Sequence, residues 1–391
     1  MTFEDIKKLD DAHVMHTYGR YQVAIDNGKS STCFSPDGKA YIDFTSGIGV
    51  NALGFADEGW VAAVTAQLNK FQHISNLYYT EPCVQLAKLL CEKSGMKKVF
   101  FGNSGAEANE GVIKAARKYS FLKYGEGRNK IVALENSFHG RTMASLSATG
   151  QAVYHNFFFP FVEGFVFAQA NDIEDTLSKL TDDVCAVMME MVQGEGGVLP
   201  LEKEYVQAVY QACQEKDILF IVDEVQTGIG RTGSFYSYQQ FGIQPNLVSS
   251  AKGLGGGLPI GAVLFGEKTE ETLVPGDHGS TYGGNPVVCA GAVEVVNRLD
   301  DAFLAEVAKK GEYMKAELLK MKHVTDVAGM GMMLGIEMDT DVKPIVTTLM
   351  DKGLLVLTAK HKMRLLPPLN ITQEELDKGL SILKETLENI E

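Results

Sequence analysis

The sequence predicts an α/β protein: a mostly parallel sheet covered by helices on both faces, followed by a second, smaller α/β unit. Three observations carry this expectation. Short apolar runs recur along the chain and are continuous rather than alternating, as in strands buried on both faces. Polar segments of helical period lie between them. From Asn285 onward the order changes to a long helix, several strands and a terminal helix.

The runs are KVFFG (98–102), KIVALE (130–135), CAVMME (185–190), ILFIVDE (218–224), NLVSS (246–250) and AVLFG (262–266). The helical segments between them are Glu107–Tyr119, Ile173–Lys179 and Lys203–Lys216. NLVSS and AVLFG are joined by a glycine-rich loop with no helix, too short for a usual parallel crossover. AVLFG is therefore expected to run antiparallel to its neighbour. Asn285-Pro286 opens the next helix, with Asn as N-cap and Pro at the first helical position. Strands are expected at Met332–Met338, Leu354–Leu357 and Lys362–Leu366, ahead of the terminal helix. The expected division is an N-terminal segment (1–50) packing with the small domain, a large domain (51–284) and a small C-terminal domain (285–391).

The 391 residues exceed one ordinary core, and the 45% hydrophobic and 22% charged content is that of a globular enzyme. A net charge of −14 with no Lys/Arg run disfavours nucleic acid as a partner. The six cysteines form no CxxC pair and have no zinc-ligand spacing to histidine, so neither a metal site nor a disulfide framework is expected. The N-terminal MTFEDIKKLDDAHVMHTYG is polar and mixed in charge, unlike a secretory signal. FFFPFVEGFVF is broken by proline and acid well short of a membrane span. A cytoplasmic protein is the expectation.

In open α/β sheets ligands bind beyond the carboxyl ends of the strands, so the residues after each run matter most. After KVFFG, Ser104-x-x-Glu107 reads as a capping box. Alternatively, Gly105 and Ala106 let a phosphate approach the free N–H groups of the helix start. After KIVALE, Phe138 and His139 fit core or loop roles. Phe138 also fits an aromatic wall for a flat ring, and Arg141 a fork for a carboxylate. After CAVMME, Glu195 stands among glycines, a turn residue or a mobile charge. After ILFIV, Asp223 is costly to bury unpaired, so it turns to water or meets an internal cation such as a protonated pyridine. After NLVSS, Lys252 precedes Gly253, Gly255, Gly256 and Gly257. A lysine in a dry cleft can lose its proton and attack a carbonyl. Together these residues describe a site for pyridoxal phosphate.

The motifs NSGAEANE, FHGRT, QGEGGV, DEVQTGIGRTG, AKGLGGGLPIGA and GSTYGGNP lie within a match that runs from Tyr18 to Arg364, nearly the whole chain. With them the sequence resembles the class III (ω-amino-acid) aminotransferases among the fold type I pyridoxal-phosphate enzymes. The resemblance implies a seven-stranded large-domain sheet with one antiparallel strand. It implies that Lys252 is the Schiff-base lysine, that Asp223 pairs with the ring nitrogen, and that Gln226 reaches the ring's phenolic oxygen. Phe138 would stack on the ring, and Ser104, Gly105 and Ala106 would hold the phosphate. Thr281 would contact the phosphate bound by the other subunit of an obligate homodimer, whose active sites lie at the interface. Tyr18, Arg141, Glu195, Ser280 and Arg364 would form the substrate pocket. In the implied cycle Glu195 cancels Arg364 while the donor is bound and swings away for 2-oxoglutarate. Arg364 and Arg141 then take the acceptor's two carboxylates. Two positions depart from the family's usual pattern: Met191 follows Glu190 where proline is usual, and Gly19 follows Tyr18 where asparagine is frequent.

The implied reaction is ping-pong transfer of the δ-amino group of N2-acetylornithine to 2-oxoglutarate, in arginine biosynthesis. Ornithine, succinylornithine and 4-aminobutyrate are alternative donors. An aminomutase of the same fold would not need the Arg141 grip. A protein that only binds would not need the Lys252–Asp223–Gln226 set.

Overall fold

The computed structural model describes residues 1–390. Its centre is a seven-stranded sheet. The strands are β1 (Lys98–Gly102), β2 (Lys130–Leu134), β3 (Phe165–Ala168), β4 (Val184–Met189), β5 (Leu219–Asp223), β6 (Leu247–Ser250) and β7 (Gly261–Phe265). Their spatial order is β1-β7-β6-β5-β4-β2-β3. All neighbours are parallel except at β7, which runs antiparallel to both β6 and β1. The short loop after NLVSS thus reverses the chain, as its length requires.

The strands are buried on both faces, and alternate residues feed two cores. On β5, Phe220 and Val222 join the larger core, while Leu219 and Ile221 join the smaller. The helix Gly105–Tyr124 covers the smaller side with Ala108, Val112, Ile113, Ala115 and Ala116. The helices Glu81–Ser94, Lys203–Glu215 and Pro286–Arg298 cover the larger side. Fully burying one such aliphatic side chain contributes roughly 1.5 to 3 kcal/mol. Asn285 caps the last of these helices by accepting from the N–H groups of Val287 and Val288, and Pro286 holds the first helical position.

Two smaller sheets flank this body. Strands 27–29, 32–34 and 40–43 form a sheet completed by 354–355, where Ile42 pairs with Leu354. Strands 324–330, 333–338, 362–365 and 357–359 form the other, fully antiparallel sheet. The stretch expected as one strand at Leu354–Leu357 is therefore split between two sheets. Its first half continues the N-terminal strands and its second half folds back on Lys362–Leu365. Among the described residues no helix is long and apolar enough to cross a membrane.

Because β1, β2, β4, β5 and β6 share one direction, their carboxyl ends open on the same edge of the sheet. The segments after these strands converge there.

Candidate active site

A cleft of about 480 Å³ lies at that edge. Nine of the predicted site residues line it: Ser104, Gly105, Ala106, Phe138, Arg141, Glu195, Asp223, Gln226 and Lys252. They are separated by up to 148 residues in sequence, and the parallel strands bring them together.

Ser104 is the N-cap of the twenty-residue helix after β1, and its hydroxyl accepts from the N–H of Glu107 at 3.1 Å. The reciprocal bond of a capping box is not formed. The Glu107 carboxylate instead accepts from the Asn103 N–H at 2.6 Å and from the Asn103 amide at 3.0 Å. The N–H groups of Gly105 and Ala106 find no backbone partner among the described residues. They face the cleft at the positive end of the helix, a ready anion site. A Cβ on Gly105 would lie 2.6 Å from Val225 Cγ1, so only glycine fits beneath that side chain.

Asp223 ends β5 and is 3% exposed. Its Oδ2 accepts from Asn109 Nδ2 and meets His139 Nδ1, both at 2.7 Å. Its Oδ1 accepts from the Val225 N–H at 2.9 Å. A carboxylate offers about four acceptor sites, so one remains for a donor in the cleft. Burial opposes charge on His139, but the Asp223 hydrogen bond and the nearby carboxylates raise its pKa. Glu190, which accepts from the Phe138 N–H at 3.0 Å, is pushed up to about 7 by burial, with His139 opposing.

These partners were not legible as functional in the sequence. His139 reads there as a loop histidine and Glu190 as a strand end. Asn109 did carry a usable signal: it follows Gly105 by four positions and so shares its helix face. Met191, one of the two departures, is fully buried behind this network. Gly19, the other, has open space around it.

Lys252 is half-buried, and desolvation lowers its pKa below that of an ordinary lysine. Its φ of +46° is left-handed, a conformation that costs an L residue roughly 1 to 2 kcal/mol. Gly256 and Gly257 continue the turn at φ +59° and +126°. The strained turn aims the lysine into the cleft rather than along the sheet edge.

Opposite lies an ion pair. Arg364 Nη1 donates to Glu195 Oε1 at 2.6 Å and to Gln226 Oε1 at 3.3 Å. Arg364 is 2% exposed, and its Nε has no partner. Burial would raise the pKa of Glu195, but Arg364 outweighs it and holds the carboxyl below its ordinary range. A small apolar cluster of Val192, Val198, Met333, Ala359 and Leu366 docks the C-terminal strands against the Glu195 turn. That contact delivers Arg364 to the cleft from far along the chain. On the other side, Arg141 is exposed and stacks on Tyr154.

Three predicted residues lie elsewhere. Ser280 stands at the edge, its hydroxyl accepting from Asn103 at 3.0 Å. Thr281 is exposed and does not line the cleft. Tyr18, expected in the pocket, is instead 73% exposed and away from it. There Arg20 is bonded to Asp10 on the N-terminal helix at 2.9 Å, and its guanidinium sits 5.7 Å from the Tyr18 ring. Tyr21 comes closer, within the field of Arg364.

The donor set suits pyridoxal phosphate. Free helix N–H groups match a phosphate, the buried Asp223 a ring nitrogen, Phe138 a ring face and Lys252 an aldehyde.

Comparison with known proteins agrees. Residues 14–387 match the family model described as "Aminotransferase class-III". The chain is 52% identical over 390 residues to an acetylornithine aminotransferase of Haemophilus ducreyi, covering 99% of each. It is 47% identical to one of Caldanaerobacter subterraneus, covering 97% of this chain and 98% of that one. Among solved structures, the ornithine aminotransferase of Toxoplasma gondii superposes with a TM-score of 0.95 at 29% identity, covering 99% of this chain and 95% of that one. The N-acetylornithine aminotransferase of Stenotrophomonas maltophilia gives 0.84 at 32% identity, with 97% and 98% covered. The chain belongs to the class III aminotransferases, and its cofactor is pyridoxal 5′-phosphate.

Proposed function

We propose that the protein transfers the δ-amino group of N2-acetylornithine to 2-oxoglutarate, releasing N-acetylglutamate 5-semialdehyde and then glutamate. The observation that carries this reading is the Arg364–Glu195 pair at 2.6 Å, set against an Arg141 with no carboxylate partner among the described residues. A site with one cancelled and one available guanidinium suits a donor whose reacting end has no carboxylate. Release of Glu195 then suits an acceptor with two. The full-length relatives named acetylornithine aminotransferase support the same donor.

When bound, pyridoxal phosphate supplies an electron-withdrawing ring that lets an amine-bearing carbon lose a proton. The protein's residues do the rest. Gly105 and Ala106 N–H groups, with Ser104, would hold the phosphate. Asp223, fixed in place by its His139 and Asn109 bonds, would accept from the ring nitrogen and keep it protonated. Phe138 would cover one ring face, and Gln226 would reach the ring oxygen. Lys252 Nζ is the amine that would hold the cofactor's aldehyde carbon, and its lowered pKa would let it, once free, act as the base and then the acid that moves the δ-carbon proton. Arg141 grips the substrate's distal carboxylate bidentately.

We read the assembly as a homodimer in the cytoplasm. Leu77 (88% exposed) and Tyr79 (fully exposed) form an apolar surface with Tyr78 and Tyr282 beside Thr281. Asn76 ties the two segments by donating to the carbonyls of Ser280 and Gly283 at 3.1 and 2.8 Å. A second copy would cover this surface and receive Thr281 at its phosphate. We also place residues 1–50 with the small domain, a reading the Ile42–Leu354 pairing supports.

The test separates the half-reactions. Holoenzyme is incubated with N2-acetylornithine alone, freed of small molecules, and given 2-oxoglutarate. One glutamate per active site is expected only from the pre-treated protein. No glutamate, or glutamate only after ornithine or 4-aminobutyrate, rejects this donor. Ornithine is the reading to take next, because the fold lies so near the Toxoplasma enzyme.

A further inference from the structure

Arg141 has a long, flexible side chain and reaches into the cleft from an exposed position. Such a group loses much of its grip unless something orients it, because binding must first immobilise it. The structure supplies the orientation. The Arg141 guanidinium carbon lies 4.2 Å from the centroid of the Tyr154 ring and 5.5 Å from that of Phe138. The two rings meet edge to face at 5.6 Å and 72°. Stacking uses the flat face of the guanidinium and leaves its N–H edge free for a carboxylate.

The support is itself fixed. Tyr154 ends a single 3₁₀ turn, Ala152–Tyr154. The Tyr154 N–H donates to the Gln151 carbonyl at 3.0 Å. The Gln151 side chain donates to the Ser137 carbonyl at 3.0 Å, in the loop that carries Phe138. On the other side of Arg141, Glu110 accepts from Thr142 Oγ1 and from the N–H groups of Ala144 and Ser145, at 2.5, 3.0 and 3.2 Å. The backbone is pinned from one helix and the guanidinium plane from one ring.

We propose that Tyr154 is a positioning residue for substrate recognition: its ring face pre-orients Arg141 for the carboxylate remote from the reacting carbon. The proposal rests on the reading of Arg141 as that grip. It assigns no chemistry to the Tyr154 hydroxyl.

The test uses holoenzyme and two acceptors: 2-oxoglutarate, which has a distal carboxylate, and 2-oxobutyrate, which lacks one. Tyr154→Leu is expected to raise KM for 2-oxoglutarate about 3- to 30-fold, the span of a cation–π contact. Its kcat, its visible cofactor band and its use of 2-oxobutyrate should stay nearly unchanged. Tyr154→Phe, which keeps the ring, should recover the affinity. In an Arg141→Ala background, Tyr154→Leu should add nothing. Tyr154→Gln gives the same comparison if leucine disturbs the turn.

The outcomes separate the two claims. If Arg141→Ala raises KM for 2-oxoglutarate and Tyr154→Leu and Tyr154→Gln do not, the Tyr154 proposal is wrong and the Arg141 reading stands. A Tyr154 effect that persists without Arg141, or that phenylalanine does not rescue, also overturns the proposal. If Arg141→Ala leaves KM unchanged, the reading beneath it fails.

Discussion

Replacing Glu195 by glutamine removes one charge from a pair whose other member is almost fully enclosed. Arg364 is 2% exposed, and its 2.6 Å bond to Glu195 is its one ionic contact among the described residues. Two charges about 4 Å apart attract by roughly 4 kcal/mol at an effective dielectric of 20. Glutamine still offers an acceptor oxygen, and Gln226 Oε1 remains 3.3 Å from the guanidinium. The loss is therefore smaller, about 1.5 to 3 kcal/mol, or roughly 10- to 100-fold. The sign differs between the half-reactions. 2-Oxoglutarate no longer has to displace a carboxylate, so its half-reaction gains up to that factor in kcat/KM. The donor now meets an uncancelled Arg364, and its half-reaction slows. Stopped-flow absorbance of each half-reaction separates the two. Equal changes in both, or none in either, would refute Glu195 as the charge that distinguishes the substrates.

Gly105→Ala should weaken cofactor binding about tenfold, because the new Cβ meets Val225 at 2.6 Å and the helix start must shift; adding Val225→Ala should restore it, as cofactor titration would report. Glu224 is fully buried, accepts from Thr227, Ser237 and the Tyr238 N–H, and is pushed up by burial from 4.5 to about 7. A carboxyl raised in the fold binds more protons there than in the unfolded chain. Its stabilising effect is therefore full below about pH 4.5 and is lost as pH rises toward 7. Glu224→Gln should flatten that loss, worth on the order of 3 kcal/mol, and denaturant melts from pH 5 to 8 should show the variant gaining on the wild type. Lys252→Ala should still bind pyridoxal phosphate, without a covalent link and without turnover; steady-state transamination by that variant would remove Lys252 from its role.

What the sequence made legible was whatever local chemistry dictates. Continuous apolar runs marked six of the seven large-sheet strands, and the short Lys252 loop marked the antiparallel one. The seventh, Phe165–Ala168, carries no separate strand signal because it follows FFFPFVEG in one apolar stretch with no change of period. Residues after strand ends were readable as site candidates because open α/β sheets place ligands there. Partners that arrive from other strands were not. Nothing in the spacing of positions 109, 139 and 190 says that they meet around Asp223. The register of the sheet decides that. Tyr18 is the opposite case: its motif position is clear in the sequence, while its place beside Arg20, which is bonded to Asp10, is not. The Arg141–Tyr154 stack likewise depends on a 3₁₀ turn with no periodic signal.

The most direct test of the central claim is the visible absorption spectrum of the purified holoenzyme, before and after N2-acetylornithine is added without any oxo acid. A yellow, lysine-linked cofactor that bleaches with the donor and recovers with 2-oxoglutarate is expected. A yellow protein that N2-acetylornithine leaves unchanged would contradict the donor. A protein that stays colourless after incubation with pyridoxal phosphate would contradict Lys252 and the site built around it.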